Sequence, residues 1–218
     1  MVLPTSDRPR TARPSAVVFD LGGVLIDWNP RYLYRQLFDG DEAAMETFLT
    51  EVTTPEWNLQ QDAGRSWDDA VAALTRQHPE HAELIAAYRD RWPETLGEAI
   101  GPTVEILDEL RRAGVRLFAL SNWSAETFPV ARKRYPFLGW FEGIVISGEV
   151  GITKPDERVY RQLLERNGLD PASTVFVDDN EANVRAADEI GMIAIRFEGG
   201  DALRSTLSDL GLLDRPIS

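Results

Sequence analysis

Short runs of consecutive apolar residues alternate along this chain with longer stretches in which apolar positions recur every three or four residues. That alternation of periods predicts strands joined by amphipathic helices, an α/β organisation. The first run is Val17-Val18-Phe19, followed at once by Asp20 and then by Leu21-Gly22-Gly23-Val24-Leu25. It reads as a buried strand whose end presents a carboxylate at a glycine turn. Further strands are expected over 115–120, 143–146, 174–177 and 193–197, with helices over 102–113, 125–135, 155–167, 181–190 and 202–210. Pro102 in a first turn and Gly114, Gly168 and Gly191 just past helix ends mark the boundaries.

Between the first strand and this regular series the pattern changes. From Trp28 to Glu98 the chain shows only helical periodicity, over 31–38, 41–52, 67–77 (with Ser66 as N-cap) and 79–92. A run of helices placed after the first strand of an α/β chain predicts an inserted cap. The expected organisation is a flexible tail over 1–14, a Rossmann-like core from 15–27 and 99–218, and a small helical cap over 28–98. The core would be a parallel sheet with helices on both faces.

Composition narrows the partners. The 218 residues include no cysteine, which removes disulfides, thiolate metal sites and a cysteine nucleophile. A formal net charge of −13 argues against nucleic acid or an anionic membrane as partner. No stretch reaches a membrane span, and the first residues lack the apolar core of a secretory signal, so a cytoplasmic protein is expected.

In a parallel sheet, ligands bind outside the carboxyl ends of the strands. Polar residues fall at several of those ends: Asp20, then Ser121 and Asn122, then Asp178 and Asp179, with Lys154 in the Gly151-Ile152-Thr153-Lys154-Pro155 loop. Each has a structural alternative. Asp20 could close a turn, Ser121 could cap a helix, Lys154 could be a solvated loop residue, and Asp178-Asp179-Asn180 could cap the helix from Glu181. Their ordered recurrence at successive strand ends is more specific than any one of them.

With these residues the chain resembles the haloacid dehalogenase-like hydrolase superfamily from about Ser15 to Gly211. The resembling motifs are Phe19-Asp20-Leu21-Gly22-Gly23-Val24-Leu25, Leu120-Ser121-Asn122, Lys154-Pro155, and Val177-Asp178-Asp179-Asn180 with Asn183. The insertion is similar to the small cap of its sugar-phosphate phosphatases and 2-haloacid dehalogenases, and the motifs look like the glucose 1-phosphate phosphatase branch.

The resemblance implies a magnesium-dependent phosphatase acting on a small phosphorylated metabolite, with Asp20 as nucleophile forming an aspartyl-phosphate. It implies Mg2+ held by Asp20, the Gly22 carbonyl and Asp179, with Asp178 as a direct or water-mediated ligand. Ser121, Asn122, Lys154 and the amides around Leu21 and Gly22 would hold the phosphoryl oxygens. Trp28 and Arg31, nearest the hinge, are expected to line the substrate pocket, with Trp57, Gln60, Arg65 and Trp67 as further cap candidates. His78 and His81 are expected at the surface.

One departure stands out. Phosphatases of this superfamily commonly carry a general acid two positions after the nucleophile, and here that position is Gly22. Asp27 is a conceivable replacement, with a role in the turn into the cap as the alternative. The departure keeps two other readings open: a 2-haloacid dehalogenase using Asp20, whose halide needs no proton, and a catalytically weak binding or regulatory protein.

Overall fold

The computed structural model describes residues 13–214. Most of the expected tail, residues 1–12, lies outside them. Five strands form one parallel sheet: β1 (Ala16–Phe19), β4 (Arg116–Ser121), β5 (Gly143–Ile146), β6 (Thr174–Asp178) and β7 (Ile193–Arg196), in the spatial order β5-β4-β1-β6-β7. Strand β1 is central and is paired in parallel with β4 on one side and β6 on the other. Parallel pairing requires a crossover for every return, and helices supply it.

Side-chain alternation along each strand sorts the core into two layers. Val17, Phe19, Leu117, Ala119, Val175 and Val177 face one way, onto α6 (Gly101–Arg112) and α11 (Gly200–Asp209) through Ile106, Leu110, Leu203 and Leu207. Ala16, Val18, Phe118, Leu120 and Phe176 face the other way, onto α9 (Glu157–Asn167) and α10 (Glu181–Glu189) through Tyr160, Leu163, Val184 and Ala187. All four residues of β1 are fully buried, so the strand is apolar on both faces, as a central parallel strand must be.

Between β1 and α6 the chain leaves the large sheet. It passes through β2 (Ile26–Trp28), α1 (Arg31–Leu37), α2 (Glu42–Glu51), α3 (Pro55–Asp62), α4 (Trp67–Gln77) and α5 (Ala82–Asp90), and returns by β3 (Leu96–Ala99). Strands β2 and β3 pair antiparallel, Ile26 with Ala99 and Trp28 with Leu96, so the segment leaves and re-enters side by side. The interior of this helical unit is aromatic. Trp57, Trp67 and Tyr88 pack at centroid distances of 5.4–5.6 Å, and Tyr34, Phe48 and Phe38 extend the cluster.

Several boundaries differ from the sequence expectation, each for a local reason. Helix α3 was not expected, because Pro-Glu-Trp-Asn-Leu-Gln-Gln-Asp has too few apolar residues to show a helical stripe. It forms because Thr54 caps the Trp57 N–H at 3.1 Å and Pro55 occupies the first turn. The 79–92 helix is divided, a 3-10 turn over Pro79–His81 preceding α5. Helix α7 (Phe128–Arg134) starts later than 125 because Pro129 belongs in a first turn, and Ser124 to Thr127 form a turn instead. The four-residue α8 (Ser147–Val150) follows β5 directly. No helix among the described residues is long and apolar enough to cross a membrane.

Candidate active site

Asp20 immediately follows β1, where its N–H donates to the Val177 carbonyl at 2.8 Å and so ties the nucleophile candidate to β6. The carboxylate is 8% exposed as a residue and accepts the Leu21 N–H at 2.7 Å. Opposite it lies Lys154, whose ammonium reaches three acceptors: Asp20 Oδ1 at 2.9 Å, Asp178 Oδ2 at 2.7 Å and the Leu120 carbonyl at 2.9 Å. All three ammonium protons therefore have protein acceptors. Lys154 sits between two carboxylates as a fixed positive charge, buried to 2% exposure.

Asp178 ends β6 with no exposed surface. Its Oδ1 accepts from the Asn180 N–H at 2.8 Å, and both oxygens accept from Asn183 Nδ2 at 3.1 Å. Asp179 is the exposed member of the pair. Behind it lies Gly23, at φ +74°, where an added Cβ would fall 2.6 Å from Asp179 Oδ2. Glycine at this position is thus required both by the turn and by the carboxylate packed against it. Carboxylate oxygens of Asp20, Asp178 and Asp179 lie within 4.8 Å of one another. Oxygen-only donors converging at that spacing suit a hard divalent cation such as Mg2+.

Burial sets the protonation of this cluster. Desolvation pushes Asp20 up to about 7, with Asp178 adding to the rise and Lys154 and Ser121 opposing it. Burial also raises Asp179, reinforced by Asp178. For Lys154 burial acts downward, but the two facing carboxylates outweigh it and leave the ammonium's pKa raised.

The remaining expected residues divide. Ser121, buried at the end of β4, interacts with the Asp20 carboxylate. Asn122 lines the cavity with its side-chain amide engaged: its Oδ1 accepts the Lys154 N–H at 2.8 Å and its Nδ2 donates to the Lys154 carbonyl at 3.0 Å. It clamps the peptide that carries the lysine. Trp28 lines the cavity beside the cluster, whereas Arg31 is held away by a bidentate pairing with Glu46 of α2. Asp27 accepts the Tyr32 hydroxyl and packs on Gly97 in the β2–β3 ribbon, so it belongs to the hinge. Trp57 and Trp67 are cap core, Arg65 lies over the Trp57 ring, and Gln60 is exposed. His78 and His81 are half-buried near Glu80, with His81 edge-on to Phe48.

A cavity of about 70 Å3, open to solvent on one side, lies between core and cap. Its core wall is Gly22, Asn122, Trp123 and Thr127; its cap wall is Trp28, Asn58, Asp62 and Trp92. Trp92 and Trp123 pack against each other at 5.6 Å, and the Trp123 Nε1–H is buried without a hydrogen-bond partner among the described residues. Sequence reasoning missed Asn58, Asp62, Trp92, Trp123 and Thr127. The Thr54-Pro55-Glu56 cap signature would have revealed the helix that carries Asn58 and Asp62.

Asp62 is the notable addition. Burial raises its carboxyl to about 7, opposed by the Ser124 backbone and with Asp20 contributing. Its carbonyl accepts the Ser147 hydroxyl at 2.6 Å, and the same Ser147 Oγ accepts the Trp123 N–H at 3.0 Å. Trp67 adds two further cap-to-core bonds, from Nε1 to Ser124 Oγ at 3.2 Å and from its N–H to Glu126 at 3.0 Å. The cap is thereby seated on the loop that follows β4.

A family model described as haloacid dehalogenase-like hydrolase matches residues 14–191. The chain is 29% identical over 186 residues to sesquiterpene phosphatase astK of Aspergillus oryzae, spanning 84% of this chain and 89% of that one. It is 28% identical to pyrophosphatase PpaX of Bacillus velezensis, over 82% of this chain and 81% of that one. Among solved structures, a HAD-like family hydrolase from Porphyromonas gingivalis superposes with a TM-score of 0.70 at 25% identity, covering 91% of this chain and 98% of that one.

Proposed function

The chain belongs to the haloacid dehalogenase-like hydrolase family, and from that premise we propose that it is a magnesium-dependent phosphatase that transfers the phosphoryl group of a small phosphate monoester to Asp20 and then to water. The observation that carries the reading is the convergence of Asp20, Asp178 and Asp179 around a buried Lys154. Three carboxylates with one ammonium form a site short of positive charge. Such a site suits a divalent cation and a phosphoryl group together better than it suits a monoanion alone.

Asp20 would attack phosphorus in line, its oxygen forming the new P–O bond as the bond to the leaving oxygen breaks. Lys154 holds Asp20 in place and offsets its charge. Ser121 and the amides at Leu21 and Gly22 would donate to the developing phosphoryl charge, the Leu21 amide by giving up its bond to Asp20 Oδ1. Mg2+, held by Asp20, Asp179, the Gly22 carbonyl and Asp178 directly or through water, would supply further charge neutralisation when bound. Asp178, with its oxygens already accepting from Lys154, Asn180 and Asn183, serves chiefly to anchor the lysine.

The aromatic lining of the cavity supports a leaving group with an apolar face, packed against Trp28. Both a sugar ring and an oxygenated terpenoid answer to that description, and the relative named for a sesquiterpene substrate supports the second. The test is phosphate release from a panel of sugar 1-phosphates, sugar 6-phosphates and prenyl phosphates, in Mg2+ and in chelator. Metal-dependent release is the expected result. Silence on every ester, with halide released from 2-chloropropionate without metal, would replace the reading with dehalogenation.

The glycine behind Asp179 gives a sharper check on the metal. Gly23→Ala should displace the Asp179 carboxylate and weaken Mg2+ binding about 10- to 100-fold. Calorimetric titration with Mg2+ reads this directly, and unchanged affinity would remove Asp179 from the ligand set.

A further inference from the structure

An alkoxide leaving from phosphorus needs a proton, and the residue beside Asp20 that faces the cavity, Gly22, has no side chain to give one. An added Cβ at Gly22 would meet nothing within 4 Å, so the space next to the nucleophile is open. Across that space stands the last residue of α3. Among the residues lining the cavity, Asp62 is the one Brønsted acid. We propose that Asp62, delivered by the cap, is the general acid and base of this enzyme. The proposal rests on the phosphatase reading and adds to it a catalytic residue from the other half of the molecule.

Four observations support the assignment. Asp62 lines, from the cap wall, the same cavity that Gly22 and Asn122 line from the core wall, and the Asp20 charge adds to the rise in its pKa. Its side chain has a partner on the same helix, Asn58 Nδ2 at 3.3 Å from Oδ2, and the Ser124 backbone of the core loop opposes the rise in its pKa. Its backbone is fixed as well, through the Ser147 hydroxyl that bridges to Trp123. Burial in this position also keeps a proton on the carboxyl near neutrality.

The steps balance. In the first, an Asp20 oxygen bonds to phosphorus, the bond to the leaving oxygen breaks, and the Asp62 proton passes to that oxygen. The products are the aspartyl-phosphate, the free alcohol and an Asp62 carboxylate. In the second, that carboxylate takes a proton from water as the water oxygen bonds to phosphorus. The bond from phosphorus to Asp20 breaks, phosphate departs, and Asp62 is again protonated. Since the acid is carried by the cap, seating the cap and arming the site are one event.

The experiment compares two esters, an alkyl phosphate that the wild-type protein hydrolyses and p-nitrophenyl phosphate, whose nitrophenolate leaves without a proton. Asp62→Asn should lower turnover of the alkyl ester by about 10²- to 10⁴-fold. With p-nitrophenyl phosphate the same variant should give a burst of nitrophenolate equal to the enzyme present, followed by slow release, because the phosphoryl-enzyme forms but is not hydrolysed. An equal loss on both esters without a burst would make Asp62 a structural residue, and no loss on the alkyl ester would dismiss it; either result overturns the proposal. If Asp62→Asn does not fold, Asp62→Ala with added formate takes its place, and failure of formate to restore alkyl-ester turnover counts against the proposal. Wild-type protein that releases phosphate from no ester of the panel would instead sink the phosphatase reading itself.

Discussion

Asp20→Asn is expected to lower turnover by about 10⁴-fold or more while leaving a folded protein. The substitution keeps the shape of the side chain and an oxygen that can accept the Leu21 N–H and face Lys154, but it removes the anionic oxygen that would attack phosphorus. Burial of Asp20 makes the point stronger. A carboxyl raised to about 7 is a costly thing to keep in a core, and asparagine relieves that cost. The variant should therefore be dead and at least as stable as the wild type in chelator. Mass spectrometry of acid-quenched enzyme should find a phosphoryl group on the wild-type protein during turnover and none on the variant. Substantial residual activity would move the nucleophile elsewhere.

Lys154→Met is expected to cost about 3–5 kcal/mol of folding stability, the penalty for removing one partner of a buried ionic group. Here one ammonium answers two carboxylates, with side-chain exposures of 1% for Lys154, 0% for Asp178 and 12% for Asp20. Methionine restores the volume but none of the charge, leaving Asp20 and Asp178 facing each other. Urea unfolding in chelator measures the loss. Mg2+ should restore part of it, since a divalent cation among the same oxygens replaces the missing positive charge. A change below about 1 kcal/mol would mean that the two carboxylates share a proton without help from the lysine.

The chemistry-bearing core was readable from sequence because it is local. A buried strand ending in Asp20 before two glycines, and strands ending at Ser121 and Asp178, announce themselves through runs of apolar residues broken by one polar residue. What lay beyond reach depends on contacts between distant segments. Asn122 and Lys154 are 32 residues apart, and only their bonding shows that the amide serves the lysine peptide. Arg31 looked available until α2 brought Glu46 against it. Helix α3 escaped because its faces are mostly polar, and with it went Asp62, which lines the same cavity as Gly22 only in the folded chain. Strands β2 and β3 were invisible for another reason: Leu96-Gly97-Glu98-Ala99 has neither the length nor the alternation of a strand, and pairing alone defines it.

The pairing of those two short strands bears on how such an enzyme changes over generations. Because Ile26 lies beside Ala99 and Trp28 beside Leu96, the sheet meets the intervening segment at two neighbouring points and registers nothing of its length. Helices can lengthen, shorten or exchange residues there without shifting a strand of the core. Selection on what the protein recognises nevertheless falls on both stretches, because Trp28 and Asp62 come from one and Asn122 and Trp123 from the other, and these must be inherited together.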